Sequence, residues 1–489
     1  MKINWISKYA ILIIVILCVI SRMPQLLSEN LILDGDESIV GLMSKHFQEF
    51  KEVPFFFYGQ SYGFSFIEVL AIRIFYIFFG VSEIAVKLAM LSLWTVGIIY
   101  FYKTLQEIGF KKNPWIPILI TLLFIFSPAF AVWSMKARGG YLTAFALTPI
   151  VTYLILKNKW QAKLLVSFII GFLIVVIYQS QPLWIAGLFP IVAFQLFKNR
   201  NFRAVWIMLS GVLTGTIVFF FLKIGSATFW APSILGAPSF SFEIFESIIQ
   251  RIYIHFTGNY FYWFVNEPIW ITKILAVLMM SVIFISLVTS VFFFFKRKNI
   301  NPLIYALTLS VLFTIGYLFL IKSGDYRYLL PLTGFSLMLL SLVLSQIKFS
   351  KAVNSLLLIW ILVGAYSLYD FKNYSFEDKS ALTSLVSELE AKQITHVFCE
   401  GGSLQWQLMF YSKENVIARY YSPTDRYPAY IKAVNSAFEK QNKHTALVGY
   451  LAEFYSPSPN YKLINNFYYI YHPADKTTVL ERGFDLSKP

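Results

Sequence analysis

The chain has 489 residues, of which 57% are hydrophobic and only 14% are charged. Soluble globular proteins carry roughly 25% charged residues, so this composition excludes a soluble protein and indicates a membrane protein with several spans. The net charge of +15 does not indicate nucleic-acid binding, because the segment from Asp370 onward holds 13 basic and 13 acidic residues. The positive excess lies in the apolar part, where basic residues report topology. The two cysteines, Cys18 and Cys399, supply neither a disulfide framework nor a metal-ligand set.

Eleven apolar runs of about spanning length follow one another along the chain. They are residues 9–27, 84–102, 115–133, 141–156, 164–180, 182–197, 204–222, 269–295, 302–321, 328–347 and 352–369. Lys and Arg gather in alternate connections, which the positive-inside rule assigns to the cytoplasm. The sequence therefore predicts an α-helical polytopic membrane protein of about 11 spans, with its N-terminus inside and its C-terminus outside.

The first long external connection, residues 28–82, is predicted to contain two interfacial helices. Apolar residues recur at helical spacing over residues 38–50, opposite charged side chains. The run 64–79 is apolar enough for a span, but it carries Glu68 and Arg73. If it crossed the membrane, every later basic connection would move outside, against the charge rule.

Residues 371–489 change sharply in composition and predict an external soluble α/β domain beside a transmembrane domain of residues 1–370. An amphipathic helix is expected at residues 380–392. Strand-like runs follow it at residues 395–398, 446–450 and 467–471.

An acidic cluster of Asp34, Asp36 and Glu37 follows the first apolar run. Carboxylates at a membrane edge are costly unless they are solvated or used. One of them can serve as a general base whose pKa is tuned by its surroundings. Alternatively, Asp34 and Asp36 cap the helix that follows. The two interpretations are compatible, because a cap needs only one of the three acids.

An aromatic turn with two glycines lies further along the same connection and contains Tyr58, Gln60 and Tyr62. Aromatic walls and polar groups suit a sugar ring, which offers hydroxyl edges and apolar faces. The alternative is an interfacial aromatic belt, which composition alone favours. Glu68 would be expensive in lipid, so it is expected to face a cavity or water.

Cations occur in two further connections that the charge rule places outside. Lys136 and Arg138 precede Tyr141, and Arg327 opens the tenth apolar run. A phosphate or carboxylate partner would explain them, and the alternative is snorkelling to lipid headgroups. Gln181 lies in a polar external turn and is a candidate cavity residue. The five histidines are scattered without metal-ligand spacing, so no metal site is expected.

Together these segments resemble the GT-C glycosyltransferases, in the bacterial branch of protein O-mannosyltransferases and aminoarabinose transferases. The resemblance rests on the string 34–37, the turn 58–60 with Glu68, the string 138–141, and the Arg-Tyr-x-x-Pro start at residues 327–331. It is close in the first external connection and loose over the rest of residues 1–370.

The resemblance implies an inverting transfer of a hexosyl or pentosyl group from a polyprenyl-phosphate donor. The acceptor would be a protein, lipid or glycan on the non-cytoplasmic face of a bacterial inner membrane. Asp36 matches the family's catalytic base, and an Arg such as Arg327 is expected near the donor phosphate. The extra acid Asp34 leaves open which carboxylate is the base, with Glu37 as support.

The candidate site is therefore the following set. The catalytic candidates are Asp36, Glu37 and Asp34, the phosphate-binding candidates are Arg138, Arg327 and Lys136, and the substrate-binding candidates are Tyr58, Gln60, Tyr62, Glu68, Tyr141 and Gln181. A polyprenyl phosphate is a good leaving group, so the reaction needs a base for the acceptor hydroxyl and cations for the phosphate. No cofactor beyond the lipid-linked donor is expected, and no divalent metal.

Two other functions stay open at this point. A transporter or flippase of lipid-linked sugars would carry charges inside its spans, whereas here the acids gather at one rim. A ligase or polymerase that moves whole glycans shares the geometry, and the sequence barely separates it from a transferase of single sugars.

Overall fold

The computed structural model describes most of the chain, and nearly all of its apolar part is helical. The described residues are 2–109, 115–157, 159–161, 163–198, 201–224, 242–258, 269–295, 301–320, 326–346, 351–369, 378–422, 424–440, 442–451 and 460–487. Their helices are α1 (Lys2–Ile20), α2 (Met23–Leu26), α3 (Gly35–Gln48), α4 (Phe66–Phe79), α5 (Glu83–Gly109), α6 (Trp115–Ile125), α7 (Tyr141–Leu156), α8 (Leu164–Ser180), α9 (Leu183–Lys198), α10 (Phe202–Ile224), α11 (Phe242–Thr257), α12 (Trp270–Phe295), α13 (Leu303–Gly316), α14 (Leu330–Gln346), α15 (Lys351–Ser367), α16 (Lys379–Ala391), α17 (Gly402–Tyr411), α18 (Pro428–Lys440) and α19 (Lys476–Glu481).

Five helical segments in the described ranges are long and apolar enough to cross a membrane. They are Glu83–Ile108, Phe202–Ile224, Trp270–Phe295, Leu303–Leu320 and Arg327–Gln346. The last is 94% buried within the bundle, whereas Phe202–Ile224 is only 22% buried and turns most of its apolar surface outward. Several shorter apolar helices accompany them, among them α7, α8 and α9. The count of eleven spans and their orientation stay predictions.

The run 115–133, predicted as one span, is broken. Helix α6 ends at Ile125, and the following 3-10 turns over Pro128–Met135 are bent from it by 55°. Ser127 is extended, with φ −73° and ψ 129°. A residue before proline disfavours the α conformation, so Pro128 accounts for the break. The two parts together make at most a sixth crossing.

Helices α8 and α10 pack at very short distance. A Cβ atom added to Gly171 would lie 1.9 Å from the Met208 carbonyl oxygen, and one added to Gly211 would lie 2.1 Å from the Phe168 carbonyl oxygen. Glycine at a helix interface lets two backbones approach, which is the main means of association in lipid. These two glycines therefore set the spacing of the pair.

The two helices predicted in the first external connection are α3 and α4, and both are present. Helix α3 begins three residues before the predicted segment 38–50, because Asp34 caps it. The two helices touch where Tyr76 donates a hydrogen bond to the Gly41 carbonyl at 3.1 Å. Their position at the membrane interface stays a prediction.

The C-terminal part contains a mixed five-stranded sheet in the order β2-β1-β3-β5-β4. The strands are β1 (His396–Cys399), β2 (Ile417–Arg419), β3 (Thr445–Tyr450), β4 (Tyr461–Ile464) and β5 (Tyr468–Tyr471). Strand β1 runs parallel to β2 and β3, and β5 runs antiparallel to β3 and β4. The α/β character was therefore predicted correctly. The boundary at residue 370 stays a prediction.

Helix α17 fastens this sheet to the chain segment that enters α3. The Leu33 carbonyl accepts a hydrogen bond from Gln407 Nε2 at 2.8 Å, and the Leu33 amide donates to the Tyr411 hydroxyl at 3.1 Å. The Gly35 amide donates to Ser403 Oγ at 3.0 Å. Every one of these contacts flanks Asp34, so the C-terminal part fixes the backbone that carries the acidic cluster.

Candidate active site

Asp34 and Glu37 form a capping box at the start of α3. The Glu37 amide donates to Asp34 Oδ1 at 2.9 Å, and the Asp34 amide donates to Glu37 Oε2 at 3.2 Å. Lys136 Nζ lies 2.6 Å from Asp34 Oδ2, and Lys87 Nζ lies 2.5 Å from Glu37 Oε1. The carboxylate of Glu37 is buried together with both lysines. These two acids are therefore engaged in structure.

The electrostatics of Asp34 follow from the same contacts. Burial raises the pKa of the Asp34 carboxyl. The charges of Lys136 and Arg138 and the hydrogen bonds from Lys136 and the Glu37 amide outweigh burial and lower the pKa to about 2. Asp34 is thus held ionised at neutral pH, with its charge compensated by Lys136.

Asp36 has a different environment from the other two acids. Its side chain faces a cavity of about 390 Å³. Arg138 Nη2 lies 2.7 Å from Asp36 Oδ2, and Arg426 Nη2 lies 3.9 Å from Asp36 Oδ1. Among the residues of the acidic cluster, Asp36 is the one that lines this cavity.

The cavity is built from segments that are distant in sequence. Its lining comprises Asp36, Phe57, Gln60, Tyr62, Gly63, Arg138, Gly139, Tyr141, Tyr178, Gln179, Ser180, Gln181, Pro182, Leu183, Lys223, Tyr317, Arg327, Tyr328 and Arg426. Aromatic rings, amides and guanidinium groups therefore meet in one space. Such a mixture offers apolar faces, hydrogen bonds and anion-binding groups to a ligand.

The turn that carries Arg138 depends on two glycines in the left-handed region. Gly139 has φ +62° and Gly140 has φ +92°. A Cβ atom on Gly140 would lie 2.6 Å from the Phe64 carbonyl oxygen, which is too close for a side chain. Its positive φ also disfavours any residue other than glycine. The turn delivers Arg138 to the cavity and starts α7 at Tyr141.

Glu68 stabilises this turn through hydrogen bonds to the start of α7. Its carboxylate is buried and accepts hydrogen bonds from the Leu142 amide at 2.9 Å and the Thr143 amide at 3.4 Å, at the start of α7. Burial raises the pKa of Glu68 to about 7, although these amides favour the charged form. Glu68 therefore lies next to the site as a support of the Arg138–Tyr141 turn.

Arg327 reaches the cavity from the start of the helical segment that leads into α14. Its guanidinium carbon lies 6.0 Å from the centre of the Tyr141 ring and 5.5 Å from that of the Tyr328 ring. Contact with aromatic faces holds a guanidinium group in place while its N–H groups point elsewhere.

The structure brings seven of the twelve predicted residues to the cavity. They are Asp36, Arg138, Arg327, Gln60, Tyr62, Tyr141 and Gln181. The other five lie outside the cavity lining: Asp34, Glu37, Lys136, Glu68 and Tyr58. The first four are engaged in the capping box, the ion pairs and the support of the turn described above.

Tyr58 is placed in a separate buried network at the contact between α3 and the C-terminal part. Its hydroxyl lies 2.7 Å from His46 Nδ1 and donates to Glu52. His46 Nε2 lies 2.8 Å from Glu414 Oε1, and the Tyr430 hydroxyl donates to the same oxygen at 2.8 Å. The geometry gives Tyr58 a role in holding these two parts together.

Three polar residues of the cavity were not predicted from the sequence: Lys223, Tyr317 and Arg426. Lys223 and Tyr317 lie at the ends of apolar helices, where such residues are common for other reasons. Arg426 lies in a polar turn of the C-terminal part, and no motif or spacing connects it to Asp36. Among the described residues, no group of three or more His, Cys, Asp or Glu side chains is placed to hold a metal ion.

No protein-family model and no curated protein sequence matches this chain. Solved structures do match it. ArnT from Cupriavidus metallidurans in the apo state superposes with a TM-score of 0.61 at 11% identity, over 96% of this chain and 98% of that chain. The same protein bound to undecaprenyl phosphate gives a TM-score of 0.59 at 11% identity, over 96% and 99%. The Archaeoglobus fulgidus oligosaccharyltransferase tethered to an acceptor peptide gives 0.53 at 13% identity, over 92% and 70%.

These solved proteins have the GT-C glycosyltransferase fold, and the present chain has the same fold. The resemblance stated from the sequence is therefore confirmed at the level of the fold. It is a membrane-protein fold, in agreement with the long apolar helices.

Proposed function

We propose that this chain is a membrane glycosyltransferase that moves a sugar from a polyprenyl-phosphate donor to an acceptor on the non-cytoplasmic face, with Asp36 as the general base. One observation carries the proposal. Asp36 lines a cavity of about 390 Å³ that also contains Arg138 and Arg327, while its two acidic neighbours are engaged in ion pairs with lysines outside the cavity lining.

The reaction needs few groups. Asp36 takes the proton of an acceptor hydroxyl as its oxygen attacks the anomeric carbon of the sugar. The bond between that carbon and the phosphate oxygen breaks, and the electron pair leaves with the polyprenyl phosphate. Attack from the face opposite the leaving group inverts the anomeric centre. A general acid is not required, because a phosphate is a good leaving group.

Arg138 and Arg327 are proposed to bind the phosphate as it gains negative charge. Both line the cavity, and guanidinium groups match phosphate oxygens in a bidentate manner. In the resting state Arg138 lies 2.7 Å from Asp36 Oδ2. This contact keeps the base oriented until a phosphate competes for the arginine. The proposal places the charge stabilisation on these arginines, so transfer is expected to persist in the presence of a metal chelator.

The sugar is proposed to lie between Tyr62, Gln60 and Tyr141, where aromatic faces and an amide surround it. The structure of ArnT bound to undecaprenyl phosphate supports the choice of donor, since the two chains share a fold over almost their whole lengths. A bacterial inner membrane with the cavity on the periplasmic side is proposed on the charge rule and on this likeness. A flippase is disfavoured, because Asp36 and two arginines face one cavity, an arrangement that group transfer requires and translocation does not. A glycan ligase would use the same chemistry on a larger donor.

The test compares two isosteric variants of the full-length protein in proteoliposomes supplied with a panel of undecaprenyl-phosphate sugars and a panel of protein, lipid and glycan acceptors. Transfer is measured as release of undecaprenyl phosphate. Asp36→Asn is expected to lower the rate by about 10²–10⁴-fold, the usual contribution of a general base. Asp34→Asn keeps a capping side chain and is expected to retain most of the activity.

Both variants must insert and purify like the wild-type protein. If Asp36→Asn retains wild-type transfer, the base is not Asp36. If Asp34→Asn loses transfer at an unchanged melting temperature, the role of base passes to Asp34. If the wild-type protein moves the lipid-linked sugar across the bilayer without releasing it, the protein is a flippase.

A further inference from the structure

A tight turn in the C-terminal part is fixed by one buried carboxylate. Asp425 accepts hydrogen bonds from the Tyr420 amide at 2.8 Å, the Tyr427 amide at 3.1 Å and Gln405 Nε2 at 2.9 Å. Its side chain is thus tied to the end of β2, to the start of α18 and to α17. These hydrogen bonds hold the backbone of the turn beside the next residue, Arg426, and the side chain of Arg426 lines the cavity.

Arg426 is fitted against the first external connection at short distance. Its guanidinium carbon lies 5.0 Å from the centre of the Phe57 ring. A Cβ atom on Gly59 would lie 2.9 Å from Arg426 Cβ and 3.0 Å from its Cα, and Gly59 has φ +71°. Only glycine permits this contact between the two turns. The C-terminal part is therefore built to bring this arginine to the cavity wall.

The guanidinium group of Arg426 keeps at least one nitrogen without a hydrogen-bond partner among the described residues. Nη2 lies 3.9 Å from Asp36 Oδ1, beyond hydrogen-bond distance, whereas Arg138 is 2.7 Å from the other oxygen of the same carboxylate. Nη1 is buried and has no hydrogen-bond partner among the residues that the structure describes. A buried donor left unpaired is destabilising, so such a group calls for a ligand. A ligand that accepts hydrogen bonds and carries negative charge fits best, because the guanidinium group is positively charged and has only N–H donors.

We propose that Arg426 is a phosphate-binding residue of the donor site, supplied to the transmembrane cavity by the C-terminal part of the chain. This inference rests on the function proposed above and extends it. Arg426 and Arg138 approach Asp36 from its two oxygens, so a phosphate at this position would be held beside the base. The C-terminal part is then a component of the donor site.

The test measures binding of undecaprenyl phosphate alone, which separates donor recognition from catalysis. The full-length protein in nanodiscs is titrated with this lipid, and binding is followed by native mass spectrometry. Arg426→Ala is expected to weaken binding by at least tenfold, and Arg426→Lys by less, because it keeps the charge but not the bidentate geometry. The matched control is Lys432→Ala, which removes an exposed cation from α18 and should bind like the wild-type protein.

Melting temperatures without lipid identify a variant that has lost its fold. If Arg426→Ala is unfolded, the comparison between Arg426→Lys and Arg426→Gln decides, since only the lysine variant keeps the charge. Equal affinity of the folded uncharged variant and the wild-type protein overturns the role of Arg426 and leaves the proposed function standing. Absence of any binding by the wild-type protein overturns the lipid-phosphate donor itself.

Phosphatidic acid, titrated in parallel, distinguishes the carrier from ordinary bilayer phosphate. A site for the carrier predicts weaker binding of phosphatidic acid to the wild-type protein and a smaller loss in Arg426→Ala. If both lipids bind equally and lose affinity equally, Arg426 recognises any lipid phosphate, and its assignment to the donor is overturned.

Discussion

Asp34, Asp36 and Glu37 lie within the first turn of one helix and its cap, yet the ion-pair partners of Asp36 differ from those of the other two. Asp34 and Glu37 are tied to each other and to two lysines, whereas Asp36 meets arginines in a cavity. Helical geometry explains the division, because successive side chains point about 100° apart around the helix axis. Because the ion pairs of Asp34 and Glu37 lie outside the cavity lining, Asp36 is the acid of the three that a ligand in the cavity can reach.

Glu68 offers a test of a single buried residue. Its pKa is raised to about 7 by burial, from a usual value of 4.5. Between these two pH values the folded protein keeps a proton that the unfolded chain has lost, so the free energy of unfolding falls as the pH rises toward 7. Glu68→Gln cannot lose a proton and can still accept from the Leu142 amide. We expect the melting temperature of the wild-type protein to fall relative to that of Glu68→Gln from pH 5 to pH 8, by several degrees.

The melting temperatures of the wild-type protein and Glu68→Gln must be compared as a difference, because His46 also makes stability depend on pH and does so equally in both proteins. Burial lowers the pKa of His46, but the hydrogen bonds that the ring donates to the Glu414 and Glu52 carboxylates outweigh burial and raise the pKa. Its stabilising effect is likewise lost as the pH rises through this raised value. Glu439→Gln removes an exposed carboxylate and serves as the control. Parallel curves for wild type and Glu68→Gln would show that Glu68 is ionised throughout.

At the scale of elements, the sequence predicted the segments with a clear apolar pattern. It missed two short strands and the break after α6. Helix α3 follows from apolar residues at helical spacing, and α4 and strands β1, β3 and β5 follow from runs of apolar residues. Strand β2 has only three residues, and β4 has four of which one is Lys462, so neither forms an apolar run. The break after α6 was missed because composition alone does not reveal the constraint that Pro128 places on Ser127.

The residues of the candidate site also fall into those that the sequence predicted and those that only the tertiary structure reveals. Asp36, Arg138 and Arg327 carry unusual charge for their positions along the chain, and this signal was readable. Arg426 has no such signal, because its place in the cavity depends on how α17 docks on the segment before α3. Tyr58 and Glu68 were noticed for their chemistry, but only tertiary contacts show that they support neighbouring elements.

The docking of α17 can be tested through one glycine. A Cβ atom on Gly35 would lie 2.6 Å from the backbone Cα of Ser403. Gly35→Ala must therefore push α17 away from α3, at a cost of about 1–3 kcal/mol for overpacking. Since α17 and the Arg426 turn move together, we expect faster cleavage of the C-terminal part by limited proteolysis and a loss of transfer activity.

Gly316→Ala provides the matched control, because beyond its own helix no atom of the described residues lies within 4 Å of the added Cβ. It should be cleaved at the wild-type rate. A Gly35→Ala protein with wild-type proteolysis and wild-type transfer would mean that the two helices can separate without consequence for the site.

At the scale of the whole molecule, the cavity joins parts that the sequence separates into membrane and aqueous regions. Arg327 opens a helix that is 94% buried in the bundle, while Arg426 belongs to a sheet domain rich in charge. Asp36 lies between them on a helix fastened to that domain. A reaction between a lipid-linked donor and a polar acceptor requires such a boundary, because the donor arrives through the bilayer and the acceptor through water.

The proposed orientation is the last feature to test, because the direction of transfer follows from it. The charge rule places Lys198, at the end of α9, in the cytoplasm and Lys440, at the end of α18, outside. Both side chains are exposed, and the native Cys18 and Cys399 are buried, so single cysteines introduced at these positions give a low background of labelling. In intact cells with a permeable outer envelope, an impermeant maleimide should label Lys440→Cys and leave Lys198→Cys unlabelled until the inner membrane is opened. The reverse pattern would put Asp36 on the cytoplasmic face, where nucleotide sugars are available, and would remove the topological reason for a polyprenyl-phosphate donor.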